Sequence, residues 1–371
     1  MIGAILLTTA NVKSDTLTWD GGASNSTWAG NNWWNGTMKV GPTAADDLIL
    51  AGAGTNQTNA PDPFNSGASF NAQSITFQDG FNLTNTTTVG DSTTSSALIH
   101  LSTGWSLNNN ATSGTVAFQP SVNGATGVLK FNLTGTGTMS VNTGATTMIS
   151  ALIQNETSSV GGVTKTGNGT LTFSGANTYS GTTAVTNGTL FINGNQSAAT
   201  GAVSVNGSGS TLGGTGTAGG PVTLTANGIL QGGTGAATGA LSIANGVNSS
   251  AGILQLALAG SGAHSTLSLT GGAWTFGATQ TFNFLDLGAT AGTYTGIITG
   301  LTSDPGSEGA WTSNLPGTFA YNAGSINFTF APVPEPSTWA AGILTVAALG
   351  FSQRKRLRHL GLRFSNRGIQ S

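Results

Sequence analysis

GGVTKTGNGTLTFSGANTYSGTTAVTNGTLFINGN, residues 161–195, is the stretch on which the fold turns. Short runs such as Leu171-Thr172-Phe173 and Leu190-Phe191-Ile192 place apolar side chains two apart, the spacing of a strand with one buried face. Asn187-Gly188 and Asn193-Gly194 break these runs with turn residues. Leu171 and Leu190 end the same short phrase, a small residue, then Thr, then Leu.

Moving outward, the phrase recurs as Ser210-Thr211-Leu212, Gly228-Ile229-Leu230 and Gly252-Ile253-Leu254, so the Leu spacings run 19, 22, 18 and 24. Upstream, Gly127-Val128-Leu129 precedes Leu171 by twice such a spacing, which reads as two further periods. Between the phrases lie Ala202-Val203-Ser204-Val205, Val222-Thr223-Leu224, Leu241-Ser242-Ile243 and Leu254-Gln255-Leu256, with turns at Asn206-Gly207 and Asn227-Gly228. Two architectures suit short strands at this period: an antiparallel sandwich or barrel of hairpins, and a parallel β-solenoid. The solenoid is favoured, because roughly 20 residues make one coil of two or three short strands. Irregular coil length is tolerated where turns project outward, whereas a barrel needs matched strands. About twelve coils stacked at ~4.8 Å predict a rod of ~55–60 Å. Leu, Ile, Val and Phe fill its inside in columns; Thr, Ser and Asn form ladders outside.

The composition agrees with a rod held together without charge. Of 371 residues only 22 are charged, 58 are Gly and none is Cys. That excludes disulfides, thiolate metal sites and a Cys nucleophile. Up to residue 333 four lysines, Lys13, Lys39, Lys130 and Lys165, face eleven carboxylates, a net charge of −7 without one Arg. Such a body cannot neutralise a phosphate backbone, so no nucleic-acid partner is expected.

Residues 161–195 resemble the autotransporter-associated β-strand repeat, whose pattern runs K-x-G-x-G-x-L-x-L-x-G-x-N-x-Y-x-G-x-T-x-V-x-x-G-x-L. Lys165, Gly167, Gly169, Leu171, Phe173, Gly175, Asn177 and Tyr179 take the first positions, and Gly181, Thr183, Val185, Gly188 and Leu190 the rest. Residues 209–230 are similar to the coils that follow this repeat, and Leu17 to Gly22 with Trp28, Asn32, Trp33 and Trp34 to the usual start of such proteins. The resemblance implies a right-handed parallel β-helix without catalysis. An autotransporter ends in a barrel of amphipathic strands, and the roughly 40 residues after Phe330 are too few for one.

Those last residues carry a different signal. Val333-Pro334-Glu335-Pro336-Ser337 is extended by its two prolines, Thr338 to Phe351 is an uncharged apolar run, and Arg354, Lys355, Arg356 and Arg358 follow. Such a run is short for a bilayer span, but Trp339 at one end and the cations at the other are what a membrane helix carries, with the cations cytoplasmic. A buried core helix is the alternative. Pro334, Glu335 and Pro336, the helix and the basic cluster together resemble the PEP-CTERM sorting signal of Gram-negative bacteria. That implies transient anchoring in the cytoplasmic membrane and processing by an exosortase; the chain departs from the pattern by continuing past Arg358 to Ser371. At the other end, Ile2 to Leu7 and Thr8-Thr9-Ala10 read as the end of a signal peptide whose gene start is truncated, or else as a buried first strand.

The expected organisation is therefore a signal-peptide remnant at 1–10, a Trp-rich cap with first coils at 11–118, and coils at 119–270. A C-terminal β cap at 271–331, the sorting signal at 332–358 with its helix at 338–351, and a basic tail at 359–371 follow. The fold class is all-β, a right-handed parallel β-helix with a single short C-terminal hydrophobic helix.

Catalytic chemistry finds little support. Asp46-Asp47 is the one adjacent acid pair, and neighbouring strand residues point to opposite faces, whereas glycosidases need two facing carboxylates. Asp286, Asp304 and Glu308 read as solvated turn residues, and a lyase site lacks its Arg. His100 and His264 are isolated, so no metal is expected; Gly214-x-Gly216-x-x-Gly219 precedes a strand rather than a helix, so no dinucleotide cofactor is expected. Trp28, Trp33 and Trp34 either stack on sugar rings or fill the first coil. The reading is an exported structural or adhesive rod whose partners are exopolysaccharide or neighbouring surface proteins; a carbohydrate-active enzyme on the same scaffold is the alternative.

Overall fold

The computed structural model describes residues 16–19, 33–34, 39–40, 46–50, 70–78, 86–91, 97–121 and 129–331, with isolated positions 344, 346, 347 and 349. The chain divides into two units, Met1–Phe330 and Ala331–Ser371. The first is a parallel β-solenoid with three sheets of 15, 10 and 7 strands. Each coil passes from the first sheet to the second, so Gly162–Thr166 is followed by Thr170–Phe173, and Thr183–Val185 by Thr189–Ile192. From Asn195–Gln196 onward short strands form the third sheet. In earlier coils Leu129–Leu133 and Leu152–Asn155 stack on the leading half of Ala97–Asn109.

Register turns the recurring phrase into a column. Leu171, Leu190, Leu212, Leu230 and Leu254 are direct partners on successive coils of the second sheet, and Phe282 ends the run. All five Leu are fully buried, each contributing roughly 1.5–3 kcal/mol by leaving water. On the first sheet Leu48, Ile75, Leu107 and Met139 form a second interior column, continued by Lys165, Val185, Val205 and Leu224.

The period is less uniform than the phrase suggests. Thr164, Ala184, Ser204 and Thr223 are register partners at sequence steps of 20, 20 and 19, whereas Ser74, Ser106 and Thr138 pair at steps of 32. Gly127-Val128-Leu129 is consequently not two periods ahead of Leu171. Leu129 pairs with Ala97 on the branch of the first sheet, while the true predecessors of Leu171 are Thr147 and Val116. Eleven described partners stack along the first sheet, about 48 Å at ~4.8 Å per step, and the second sheet adds a further parallel step at Thr312–Ser313.

One corner admits no side chain. A Cβ on Gly181 would lie 2.3 Å from the carbonyl oxygen of Gly161, one on Gly201 1.9 Å from that of Gly181, and one on Gly220 1.8 Å from that of Gly201. Successive coils therefore need Gly here because backbone rests on backbone.

Both ends of the stack close with antiparallel strands. Trp33–Trp34 and Lys39–Val40 pair antiparallel beyond Thr16–Trp19. At the far end the parallel coils run on to Thr312–Ser313, and Ser325–Phe330 with Gly317–Asn322 pairs antiparallel against Gly292–Thr299. Aromatic rings fill that end: Phe282 lies 4.4 Å from Phe319, Phe284 4.2 Å from Phe328, and Phe276 4.8 Å from Trp311. Rings and hairpin together cover the apolar face that a bare last coil would expose.

In the second unit Leu344, Val346, Ala347 and Leu349 have helical backbone and are exposed. No helix among the described residues is long and apolar enough to cross a membrane, and the rest of the expected helix at 338–351 lies outside them.

Candidate functional site

Strand alternation sends every second residue of the first sheet outward, and the register lines these residues up along the rod. One row runs from Thr16 through Asp47, Ser74, Ser106 and Thr138 to Thr164. It continues as Ala184, Ser204, Thr223, Asn248 and Thr275. Two residues along each strand a second row carries Ile49, Thr76, Asn108, Ser140 and Thr166. The rows are ~6.5 Å apart and their members ~4.8 Å apart. Asp47 is their one charged member. Neighbours are bonded to each other as well: Ser74 Oγ donates to Asp47 Oδ1 at 2.5 Å, and Asn108 Nδ2 to Thr76 Oγ1 at 3.2 Å. The surface is thus a sheet-backed array made mostly of hydroxyls and amides that both donate and accept, interrupted by Ile49 and Ala184.

The array is interrupted at its N-terminal part. Ala72 pairs with Leu101 but Ser74 with Ser106, so Gln73 faces the whole stretch 102–105. The register shifts there, with Gly104 at a φ of +74° and Gln73 Nε2 bonded to the Thr103 carbonyl at 3.3 Å. An open groove of about 420 Å³ results, lined by Thr16, Asp47, Gln73, Ser74, Gly104 and Ser106, with Ile49 and Thr76.

On the branch strands His100, Asn132 and Gln154 are register partners. Glu156 Oε2 lies 2.5 Å from His100 Nδ1 and accepts from Asn132 Nδ2 at 3.1 Å, and Gln154 Nε2 donates to Asn132 Oδ1 at 2.8 Å. His100 is therefore not isolated: its partner is an acid far along the chain. Burial pushes the Glu156 carboxyl up, but the Thr157 amide, His100 and Asn132 outweigh it and hold the pKa below 4.5.

Glu308 departs from the solvated turn residue expected. Burial and a hydrogen bond with the Asp304 carboxyl raise its pKa. Asp286 accepts from the amides of Gly288 and Ala289 and shapes a turn. Among the described residues no group of three His, Cys, Asp or Glu could hold a metal. The strand Val222–Thr225 follows the Gly214, Gly216, Gly219 stretch, as its sequence indicated.

Trp33 and Trp34 belong to the antiparallel edge, pairing with Trp19 and Thr18. Their side chains lie outside the described residues, as do Trp28, Pro334, Glu335, Pro336, Arg354, Lys355, Arg356 and Arg358.

Within the repeat the letters of the pattern have separate tasks. Lys165 sits between Thr164 and Thr166 and is fully buried. Its Nζ donates to the carbonyls of Thr166 at 2.7 Å, Gly167 at 2.7 Å and Asn187 at 3.1 Å, using all three hydrogens. Burial pulls its pKa down to about 8. Tyr179 is buried with its hydroxyl 2.6 Å from Thr183 Oγ1, and desolvation leaves its pKa pushed up to about 12. Asn177 Oδ1 accepts from the Ile153 amide at 2.9 Å, tying one coil to its predecessor. The alternation Thr-Lys-Thr carried the signal that Lys165 points inward.

A parallel β-solenoid with a hydroxyl-rich face is the class that this geometry defines. The family described as Passenger-associated-transport-repeat matches residues 163–192, which makes this stretch an autotransporter-associated repeat. No curated protein and no solved structure matches the chain. Repeat and fold together fit a surface protein of structural or adhesive kind.

Proposed function

We propose that the protein is an exported, surface-sorted rod that binds exopolysaccharide or neighbouring surface proteins through the outer rows of its first sheet. The observation that carries this reading is the register of those rows, from Thr16 to Thr275, in which hydroxyl and amide groups recur on coil after coil. An extended polymer lying along such a face meets a hydroxyl or amide at most steps, so weak single bonds sum through multivalency. No metal, cofactor or nucleic acid enters the mechanism, and the rod has no catalytic role. Export is supported by the repeat at 163–192. Sorting rests on the order of Pro334-Glu335-Pro336, the apolar run and the basic cluster at 354–358, which together suit transient membrane anchoring and release by an exosortase.

The test is to incubate the full chain with the producing cell's own exopolysaccharide, measuring retained protein and newly released reducing ends. Retention without new ends is the expected result. New ends establish the carbohydrate-active enzyme instead, and neither result leaves a passive rod.

A further inference from the structure

We propose that Asn187 is a self-modifying site: the Asn187-Gly188 turn closes to a succinimide and opens to isoaspartate, with Lys165 activating both steps. The inference stands apart from what the rod binds. Six Asn-Gly pairs fall within the described residues, at 168–169, 187–188, 193–194, 206–207, 227–228 and 245–246. Ring closure needs a free side-chain amide and a free backbone nitrogen on the residue that follows. Four pairs have that nitrogen engaged: Gly169 N donates to the Val141 carbonyl at 2.8 Å and Gly194 N to that of Phe173 at 3.1 Å. Gly207 N and Gly228 N both donate to the Thr225 carbonyl, at 3.5 and 2.9 Å. At the fifth pair the side chain is held, since Asn245 Nδ2 donates to the Gly219 carbonyl. Asn187 is exposed, and neither its side chain nor the Gly188 N–H is hydrogen-bonded. It alone among the six is free to react.

The one bond at this turn favours the reaction. Lys165 Nζ donates to the Asn187 carbonyl oxygen at 3.1 Å. That oxygen shares a peptide unit with Gly188 N, so loss of the N–H proton spreads negative charge onto it. A buried ammonium at hydrogen-bond distance stabilises this charge as it develops. Gly188 N then attacks Asn187 Cγ and forms the Cγ–N bond. The Cγ–Nδ2 bond breaks, and the proton lost from Gly188 N reaches the departing Nδ2 through water, so ammonia leaves. In the second step a water molecule adds to the α-carbonyl carbon of Asn187, whose oxygen Lys165 polarises. The bond from that carbon to Gly188 N breaks, and the nitrogen recovers a hydrogen from the added water. The chain now runs through Cγ, and the oxygen that Lys165 holds belongs to a free carboxylate. An ammonium whose partners were the carbonyls of Thr166, Gly167 and Asn187 thereby gains a counter-charge.

The experiment ages the full chain beside a free peptide of residues 183–191 and counts isoaspartate at each site by peptide mapping. At pH 7 Asn187 is expected to convert at least fivefold faster than each of the other five asparagines, and at least threefold faster than in the peptide. Ordinary burial in a fold slows this reaction, so a rate above the peptide's is the signature of Lys165. The pH profile supplies a second signature. Lys165 loses its proton at a pKa of about 8, so the folded rate levels off above that value while the peptide's keeps rising. Lys165→Met, checked by its melting, drops the folded rate at least fivefold; where that variant fails to fold, the pH profile of the unaltered chain decides. Faster conversion at any of the other five, a rate at or below the peptide's, or a profile parallel to the peptide's overturns the proposal.

Discussion

Lys165 donates from its ammonium to the carbonyl oxygen of Asn187, 3.1 Å away and one coil further along the rod. With its bonds to Thr166 and Gly167 it clamps two successive turns from inside the corner. A buried cation in a column otherwise made of Met139, Val185 and Val205 is costly, and it is kept because three carbonyls need a donor there.

Stability should therefore rise in alkali. Between about 8, the folded pKa of Lys165, and 10.5, its ordinary value, the unfolded chain holds a proton that the folded chain has released. Urea unfolding followed from pH 7 to 10 should show flat stability below pH 8 and an increase above it. Lys165→Met, which keeps the length and removes the donors, should lower stability by about 1–3 kcal/mol at pH 7 and abolish that rise.

Glu156 gives the opposite limb. Its carboxyl is held below 4.5, so its contribution is complete above that value and is lost as pH falls through and below it. Glu156→Gln should cost about 1 kcal/mol at pH 6 and flatten acid unfolding, measured by circular dichroism between pH 6 and 3.

The glycine corner separates a steric demand from mere glycine richness. Gly201→Ala should destabilise by about 3 kcal/mol or more, since its Cβ would lie 1.9 Å from a backbone oxygen that the neighbouring coil holds in place. Gly309→Ala, where a Cβ meets nothing within 4 Å, should stay within about 0.5 kcal/mol. Thermal midpoints of the pair decide this.

At the aromatic end Phe328→Ala removes a ring packed 4.2 Å from Phe284 and 5.0 Å from Phe319. A loss of about 3–5 kcal/mol is expected, and light scattering should detect association through the uncovered last coil.

The interior was largely legible in the sequence because one column repeats one residue: Leu171, Leu190, Leu212, Leu230 and Leu254 read as a phrase and stack as partners. The outer ladders followed from the same alternation, as Thr138, Thr164 and Ser204 show. What stayed hidden depends on coil length. Leu129 ends the right phrase yet stacks on Ala97 in another sheet, since turns of different length change the count between equivalent positions. His100 and Glu156 meet only because the intervening residues complete coils of unequal size, and the groove at Gln73 is a register shift that no local pattern announces.

The adhesive account is tested most directly by stripping hydroxyls from the face while leaving the fold alone. Thr138→Val, Thr164→Val, Ser204→Ala and Thr223→Val together remove four members of the outer row in side chains of similar shape. Thr146→Val, Thr170→Val and Thr189→Val do the same on the second sheet. Retention on the producing cell's exopolysaccharide should fall at least tenfold for the first set and stay unchanged for the second, with both sets melting like the unaltered chain. Retention undiminished in the first set would contradict the assignment of the first sheet as the binding face.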